Sequence, residues 1–272
     1  MPPASSSFTP LNISNNLVPE WMGSFTLVAP PNTDLWRKPP SRDTSTAPIL
    51  YTALRNPFVA AQVTVAADWE LEWDQGGLVI FAGAPPGHLP VVAPDMVPGL
   101  RNLALEDDPT SSRPQRLDAT RAHRRGSSGP PRQPTPPPPY LAPEQGCKWV
   151  KVGLEFCNNA CHATSVVANC EGADWSISAL PPRQAARLDL RVKIERIGYA
   201  LWVWYEDELL GWKKLREVTW FFWGVEDKAV RVGVYASRPA NFGMSMHHRR
   251  QGGGQNTGAR NLCVDFEGLE IG

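Results

Sequence analysis

Carboxylates recur at strand spacing in two places in this 272-residue sequence. Glu70, Glu72 and Asp74 alternate, so on a strand they project to one side. Two carboxyl groups about 5 Å apart can serve as nucleophile and general acid in glycoside chemistry. Lys151 and Glu155 share parity within Lys148–Phe156, on the face opposite Val150, Val152, Leu154 and Phe156. Asp74-Gln75 stands just before the apolar run Gly77–Phe81, and Ser165 and Asp174-Trp175-Ser176 follow later in the chain. A face carrying these residues offers planar polar groups for hydroxyls and an aromatic plane for a sugar ring. The same alternation also describes a solvated outer face with ion pairs, Lys151–Glu155 among them. Equally, the acidic run suits a charged strand edge that discourages further pairing.

Cys157-Asn158-Asn159-Ala160-Cys161-His162 has the residue types of a metal site. Zinc needs about four ligands, and no second close pair accompanies this one. Asn-Asn-Ala more readily makes a turn between two strands, with the cysteines as small buried residues, so no metal and no cofactor are assigned. Gly-x-Ser-x-Gly, phosphate-loop and dinucleotide fingerprints are absent. His88, His123, His247 and His248 fall in insertions, which leaves His162 for any fixed site. Trp202 and Trp204 share parity opposite Leu201 and Val203, so one of the two sets faces away from the core. Outward tryptophans would join the ligand face; otherwise they fill the core with Trp212, Trp220, Phe221, Phe222 and Trp223.

The elements that must position these residues are strands. Phe58–Ala66, Gly77–Phe81, Lys148–Phe156, Ser165–Asn169, Leu188–Arg196, Ala200–Tyr205, Val218–Trp223, Val230–Ala236 and Leu262–Phe266 read as β. No long helix is apparent. Residues 1–17 read as a disordered tail, 18–82 with 147–272 as one all-β sandwich domain, and 83–146 as a Pro- and Arg-rich disordered insertion. Its Pro136–Pro139 run and arginines suit SH3-like, WW-like or acidic partners, or mark a tolerated insertion. His247–Arg260 is a second, smaller one.

Equal numbers of basic and acidic residues, 27 each, give no general argument for nucleic-acid or membrane binding. The amino terminus lacks the pattern of a secretory signal, and no apolar stretch approaches the ~20 residues of a membrane helix. Five cysteines without a regular framework point to a reduced, cytoplasmic setting.

Several segments, in order, resemble the family catalogued as domain of unknown function 1349, which includes regulation-of-enolase proteins. They are Thr33-Asp34-Leu35-Trp36-Arg37, Asp74-Gln75-Gly76-Gly77-Leu78-Val79, Lys148–Glu155, Ser165-Val166-Val167, Asp174-Trp175-Ser176 and Val232–Pro239. Gly76 and Ala168 depart from the family's usual Ala and Thr, and the long segment after Phe81 is unusual for it. The resemblance implies a concanavalin A-like antiparallel β-sandwich, or jelly roll, and no established reaction. Glycosidases of that architecture carry Glu-x-Asp-x-Glu on one strand, an order that Glu70-Leu71-Glu72-Trp73-Asp74 does not follow. Arg216 resembles an arginine common in the family; it would hold a carboxylate or phosphate as a fork, or pair with Glu217 or Asp227. These features imply a non-catalytic cytosolic binding or regulatory protein for a carbohydrate or sugar phosphate, with an enolase-like protein partner by resemblance alone. The alternatives are a glycoside-active enzyme using Glu155, Asp74 or Glu72, and a scaffold acting through the Pro/Arg-rich segment.

Overall fold

The structure, a computed structural model, describes residues 7–39, 42–87, 147–240 and 260–272. Its strands are β1 (Phe8–Leu11), β2 (Ser24–Ala29), β3 (Leu35–Lys38), β4 (Arg42–Ser45), β5 (Ile49–Ala53), β6 (Ala60–Ala67), β7 (Gln75–Ala82) and β8 (Lys148–Cys157). They continue as β9 (Ala160–Ala168), β10 (Ala173–Ala179), β11 (Asp189–Ile197), β12 (Ala200–Asp207), β13 (Gly211–Val218), β14 (Val230–Ser237) and β15 (Leu262–Ile271). One helical turn, α1 (Pro182–Ala185), precedes β11. A seven-stranded sheet, β1-β5-β14-β7-β8-β9-β10, packs on a six-stranded sheet, β13-β12-β11-β6-β15-β2.

The core lies between the sheets and follows from alternation. Leu78 and Ile80 of β7, Val150, Val152 and Leu154 of β8, and Val232 and Val234 of β14 meet Val63 and Val65 of β6 and Val192 and Ile194 of β11. Each such side chain is fully buried, which stabilises the fold by roughly 1.5–3 kcal/mol apiece. Alternation sends the neighbouring residues to the far face of the seven-stranded sheet. There Val79, Phe81, Trp149, Val166 and Tyr235 pack beneath Leu35 of the β3–β4 hairpin in a second cluster. Arg37 pins that hairpin: it grips Asp43 through two nitrogens and donates to the carbonyls of Cys147 and Asn169. Both faces of this sheet are therefore covered, which explains why every residue of β7 is buried.

The strand registers refine the sequence reading. Residues 68–74 form a turn rather than an acidic strand, because the Asp74 carboxylate binds the amides of Glu70 and Leu71 and folds the chain back. Residues 219–224 likewise turn; adjacent Phe221 and Phe222 are both buried, which a strand with one core face does not allow. The strand expected from Ser165 begins at Ala160, and β10 and β13, largely exposed edge strands without clean alternation, were not anticipated. Val59 and Leu188, inside the expected strands Phe58–Ala66 and Leu188–Arg196, lie just outside β6 and β11 and are exposed. Within the expected tail, Phe8 and Leu11 are buried and β1 pairs with β5. The Asn158-Asn159 turn links β8 to β9 as expected, both residues taking positive φ, with Cys157 and Cys161 buried.

From residue 88 on, the expected insertion lies outside the described residues, as do residues 247–259 of the second. The stems of the first are closed without it. Ala82 pairs with Lys148, Arg231 donates to Gly83, and Ser45 donates to the Pro86 carbonyl. A variant with residues 88–146 replaced by a short linker should melt no lower than the parent, since closing a shorter loop costs less entropy. A lower midpoint by differential scanning calorimetry would mean that the segment contributes to the fold.

Candidate functional site

Residues paired directly across antiparallel strands share a face. One row on the outer face of the seven-stranded sheet runs Gly233, Val79, Lys151, Val166, Trp175; the next runs Tyr235, Gly77, Gly153, Thr164; the next Ser237, Gln75, Glu155, His162. Four strands thus bring Lys151, Glu155, Gln75, Thr164 and Tyr235 together. The floor between Lys151 and Glu155 is backbone. At Gly77 a Cβ would meet the Val152 carbonyl at 2.0 Å, and at Gly153 it would meet that of Gly76 at 1.8 Å, so only glycine fits.

Lys151 is fully buried and donates to Asp34 Oδ1 at 3.0 Å, its Nζ lying 5.4 Å from the Tyr235 ring centre. Asp34 is fixed at the start of β3, where Oδ1 also accepts from the Leu35 amide and the Ser237 hydroxyl. Glu155 is fully buried as well. Its Oε2 accepts from Thr164 Oγ1 at 2.6 Å and from Trp175 Nε1 at 3.1 Å, while Oε1 has no partner among the described residues. Burial pushes the Glu155 carboxyl up; the Thr164 and Trp175 hydrogen bonds and the Lys151 charge oppose this, and the Asp34 carboxylate adds to it. The Tyr235 hydroxyl is pushed well up by burial, with Glu155 and Asp34 contributing, so it stays a donor and reaches Gln75 Oε1 at 3.5 Å. Trp175 is 40% exposed above this cluster.

Of the residues singled out by sequence, Gln75, Lys151, Glu155 and Trp175 meet here. Asp74 does not face the cluster: its carboxylate is spent on Arg238, at 2.9 and 2.7 Å, and on the two turn amides. Ser165, Asp174 and Ser176 have the opposite parity, towards the other sheet. There Arg216 of β13 donates to Ser165 Oγ at 2.9 Å and Asp174 Oδ2 at 3.1 Å, rather than to Glu217 or Asp227. Asp227 is taken by Arg196. Lys151 pairs with Asp34 and not with Glu155. Glu72 binds the Asn158 amide and the Cys157 thiol. Asp34, Thr164, Tyr235 and Ser237 were not singled out. Asp34 and Tyr235 lie inside segments that carry the family resemblance, and Thr164 is one register step from Ser165.

Trp202 and Trp204 do face outward, but on the six-stranded sheet, where they stack at 5.9 Å under Lys214. They therefore do not belong to the Glu155 face. A cleft of about 590 Å³ on that sheet is lined by Arg187, Asp189, Arg191 and Glu206. Its charges are paired with one another in solvent, and such pairs hold little energy; the buried Gln184 in its lining donates to the Glu206 carbonyl and leaves its Oε1 unpartnered among the described residues. Burial pushes the Cys157 and Cys161 thiols up to about 11, which disfavours the thiolates a metal needs. Among the described residues no group of three or more His, Cys, Asp or Glu side chains is placed to hold a metal.

Residues 15–251 match the family described as Protein of unknown function (DUF1349). The chain belongs to this family. It is 30% identical over 223 residues to uncharacterized protein AN7484 of Emericella nidulans, covering 80% of this chain and 79% of that one. A functionally unknown protein from Saccharomyces cerevisiae has a similar structure, with a TM-score of 0.56 at 17% identity over 98% of this chain and 96% of that one. The DUF1349 fold seen here is an antiparallel β-sandwich. Among the described residues no helix is long and apolar enough to cross a membrane.

Proposed function

We propose that this chain is a non-catalytic, cytosolic binding protein that takes a polyhydroxylated, carbohydrate-like metabolite on the outer face of its seven-stranded sheet, and that it acts by sensing rather than by turnover. The observation that carries this is Glu155 Oε1: a buried carboxyl oxygen without a partner among the described residues, beside a buried lysine that donates to Asp34. Buried polar atoms are almost always satisfied, so an unspent one marks a place where something polar docks. Trp175, held by its Nε1 and exposed on its remaining surface, supplies the ring face that stacks on a sugar. Lys151 suits a phosphate or carboxylate substituent.

A thermal-shift screen against sugars, sugar phosphates and glycolytic intermediates tests the reading. At a concentration 100-fold above Kd, a ligand stabilises the fold by about 2.7 kcal/mol, and the rise should vanish in Trp175→Ala. Silence across the panel with a folded protein would exclude a small-molecule site of this kind and turn attention to a protein partner.

One observation favours a second reading, a glycoside-active enzyme: a carboxyl raised by burial stands within electrostatic reach of a second carboxylate, Asp34. Glu155→Gln separates the two. A binder changes its affinity modestly, whereas an enzyme using Glu155 as proton donor loses turnover by orders of magnitude.

A further inference from the structure

Trp73 combines features that no other described tryptophan shares. Its φ is +70°, in the left-handed region, where a bulky side chain is an outlier. It is also 48% exposed. The turn around it is rigid, because Asp74 accepts from the amides of Glu70 and Leu71 and is itself held by Arg238. Trp73 donates its amide to the Phe156 carbonyl, and Phe156 donates back to the Asp74 carbonyl. The turn is thereby clamped to the residue next to Glu155.

The turn also reaches round to the Glu155 face. Glu72 contacts the thiol of Cys157, which has the same strand parity as Glu155 and feels its charge. A glycine or asparagine at position 73 would hold this backbone at lower cost. A large apolar ring kept partly in water on a strained residue, in a turn hydrogen-bonded to the residue next to an unspent buried carboxyl, is a local conflict of the kind that collects at binding sites.

From this geometry we infer that Trp73 is a ligand-contacting residue: its ring forms a second stacking surface at the Glu155 site and selects molecules with an extended apolar ring face, such as oligosaccharides, over small hydroxy acids. The inference rests on the proposed binding role of Glu155 and adds to it a residue and a ligand size. Together with Trp175, whose Nε1 donates to Glu155, this second ring lets the site accept more than one sugar ring.

Two variants and one probe set test this. Trp73→Ala removes the ring and keeps the strained backbone, and Trp73→Gly removes both. The probes are a glycan array of gluco-, xylo- and chito-oligosaccharides, and D-gluconate as a small hydroxy acid in a thermal-shift assay. The wild type should bind at least one oligosaccharide series, and both variants should lose about tenfold or more of that binding, as expected for one aromatic–ring contact. Trp73→Gly should melt about 2–4 °C above Trp73→Ala, the shift expected from relieving one left-handed position. Oligosaccharide binding that survives in Trp73→Ala overturns the role of Trp73 and leaves the Glu155 site standing. A Trp73→Gly midpoint no higher than that of Trp73→Ala overturns the strain premise. A wild type silent on the array while D-gluconate stabilises it overturns the ligand size, and silence towards both overturns the Glu155 reading itself.

Discussion

Asp74→Ala should lower the thermal midpoint on the order of 10 °C. Asp74 is fully buried and Arg238 is 1% exposed. The carboxylate takes Arg238 Nε at 2.9 Å and a terminal nitrogen at 2.7 Å, and also the amides of Glu70 and Leu71. Removing it leaves a buried guanidinium whose nearest other carboxylate, Glu70, is 3.9 Å away on an exposed side chain. Breaking a buried pair from one side typically costs about 3–5 kcal/mol, because the surviving charge is uncompensated. Each kcal/mol is worth roughly 2–4 °C in a domain of 150–250 residues.

Arg238→Ala should cost a similar amount, since Arg238 also donates to the Arg260 carbonyl at the stem of the second insertion. The double variant should cost clearly less than the sum of the two, because each single change orphans the other partner. A midpoint within about 2 °C of wild type for Asp74→Ala would mean that water or Glu70 satisfies Arg238, and that the pair holds little. The consequence for function is direct. Loss of a ligand response in Asp74→Ala reports on the fold, whereas loss in Trp175→Ala reports on the site.

The contrast between Asp74 and Glu155 shows what sequence carries here. Strand parity was sufficient to place Lys151 and Glu155 together on the non-core face, because β8 is a long, clean alternation whose apolar half must be buried. Parity also separated Leu201 and Val203 from Trp202 and Trp204. It could not say which of two sheets owns an outward face, so the tryptophans came out on the six-stranded sheet and away from Glu155. It failed at Asp74 because a residue at the end of a strand obeys its turn. Alternation in Glu70, Glu72 and Asp74 reads as a strand, while the hydrogen bonds that bend the chain there depend on Arg238, 164 residues away. Ser165 falls on the core side because its face is decided by its register partner, Val152 of β8, which sequence periodicity does not supply; a strand expected to start at Ser165 also leaves out Thr164. Asp34 was invisible to periodicity altogether. Its role comes from the β3–β4 hairpin folding over the sheet, a long-range contact between segments 117 residues apart.

Glu155 should make stability depend on pH in a direction opposite to that of an ordinary surface carboxylate. Burial raises its folded pKa above the unfolded value, which is about 4.3. The native state therefore holds this proton more tightly than the unfolded chain. The stabilisation is fully present below the unfolded pKa and is lost as pH rises through the folded one, at up to about 1.4 kcal/mol per pH unit in that window. Glu155→Gln cannot titrate, so its midpoint relative to wild type should rise across the window and level off above it. Thr164→Val deletes a donor that favours the charged form and should extend the window to higher pH. A wild-type minus Glu155→Gln difference that stays flat from about pH 4 to 8 would show that Glu155 is ionised in the fold as in the unfolded chain. The geometry also says where the proton sits. Oε2 already accepts from Thr164 and Trp175, so the acid proton belongs on Oε1, the oxygen without a partner among the described residues. A neutral Glu155 then presents an O–H donor to the site, and a ligand oxygen that accepts from it should bind more tightly as pH falls through the same window.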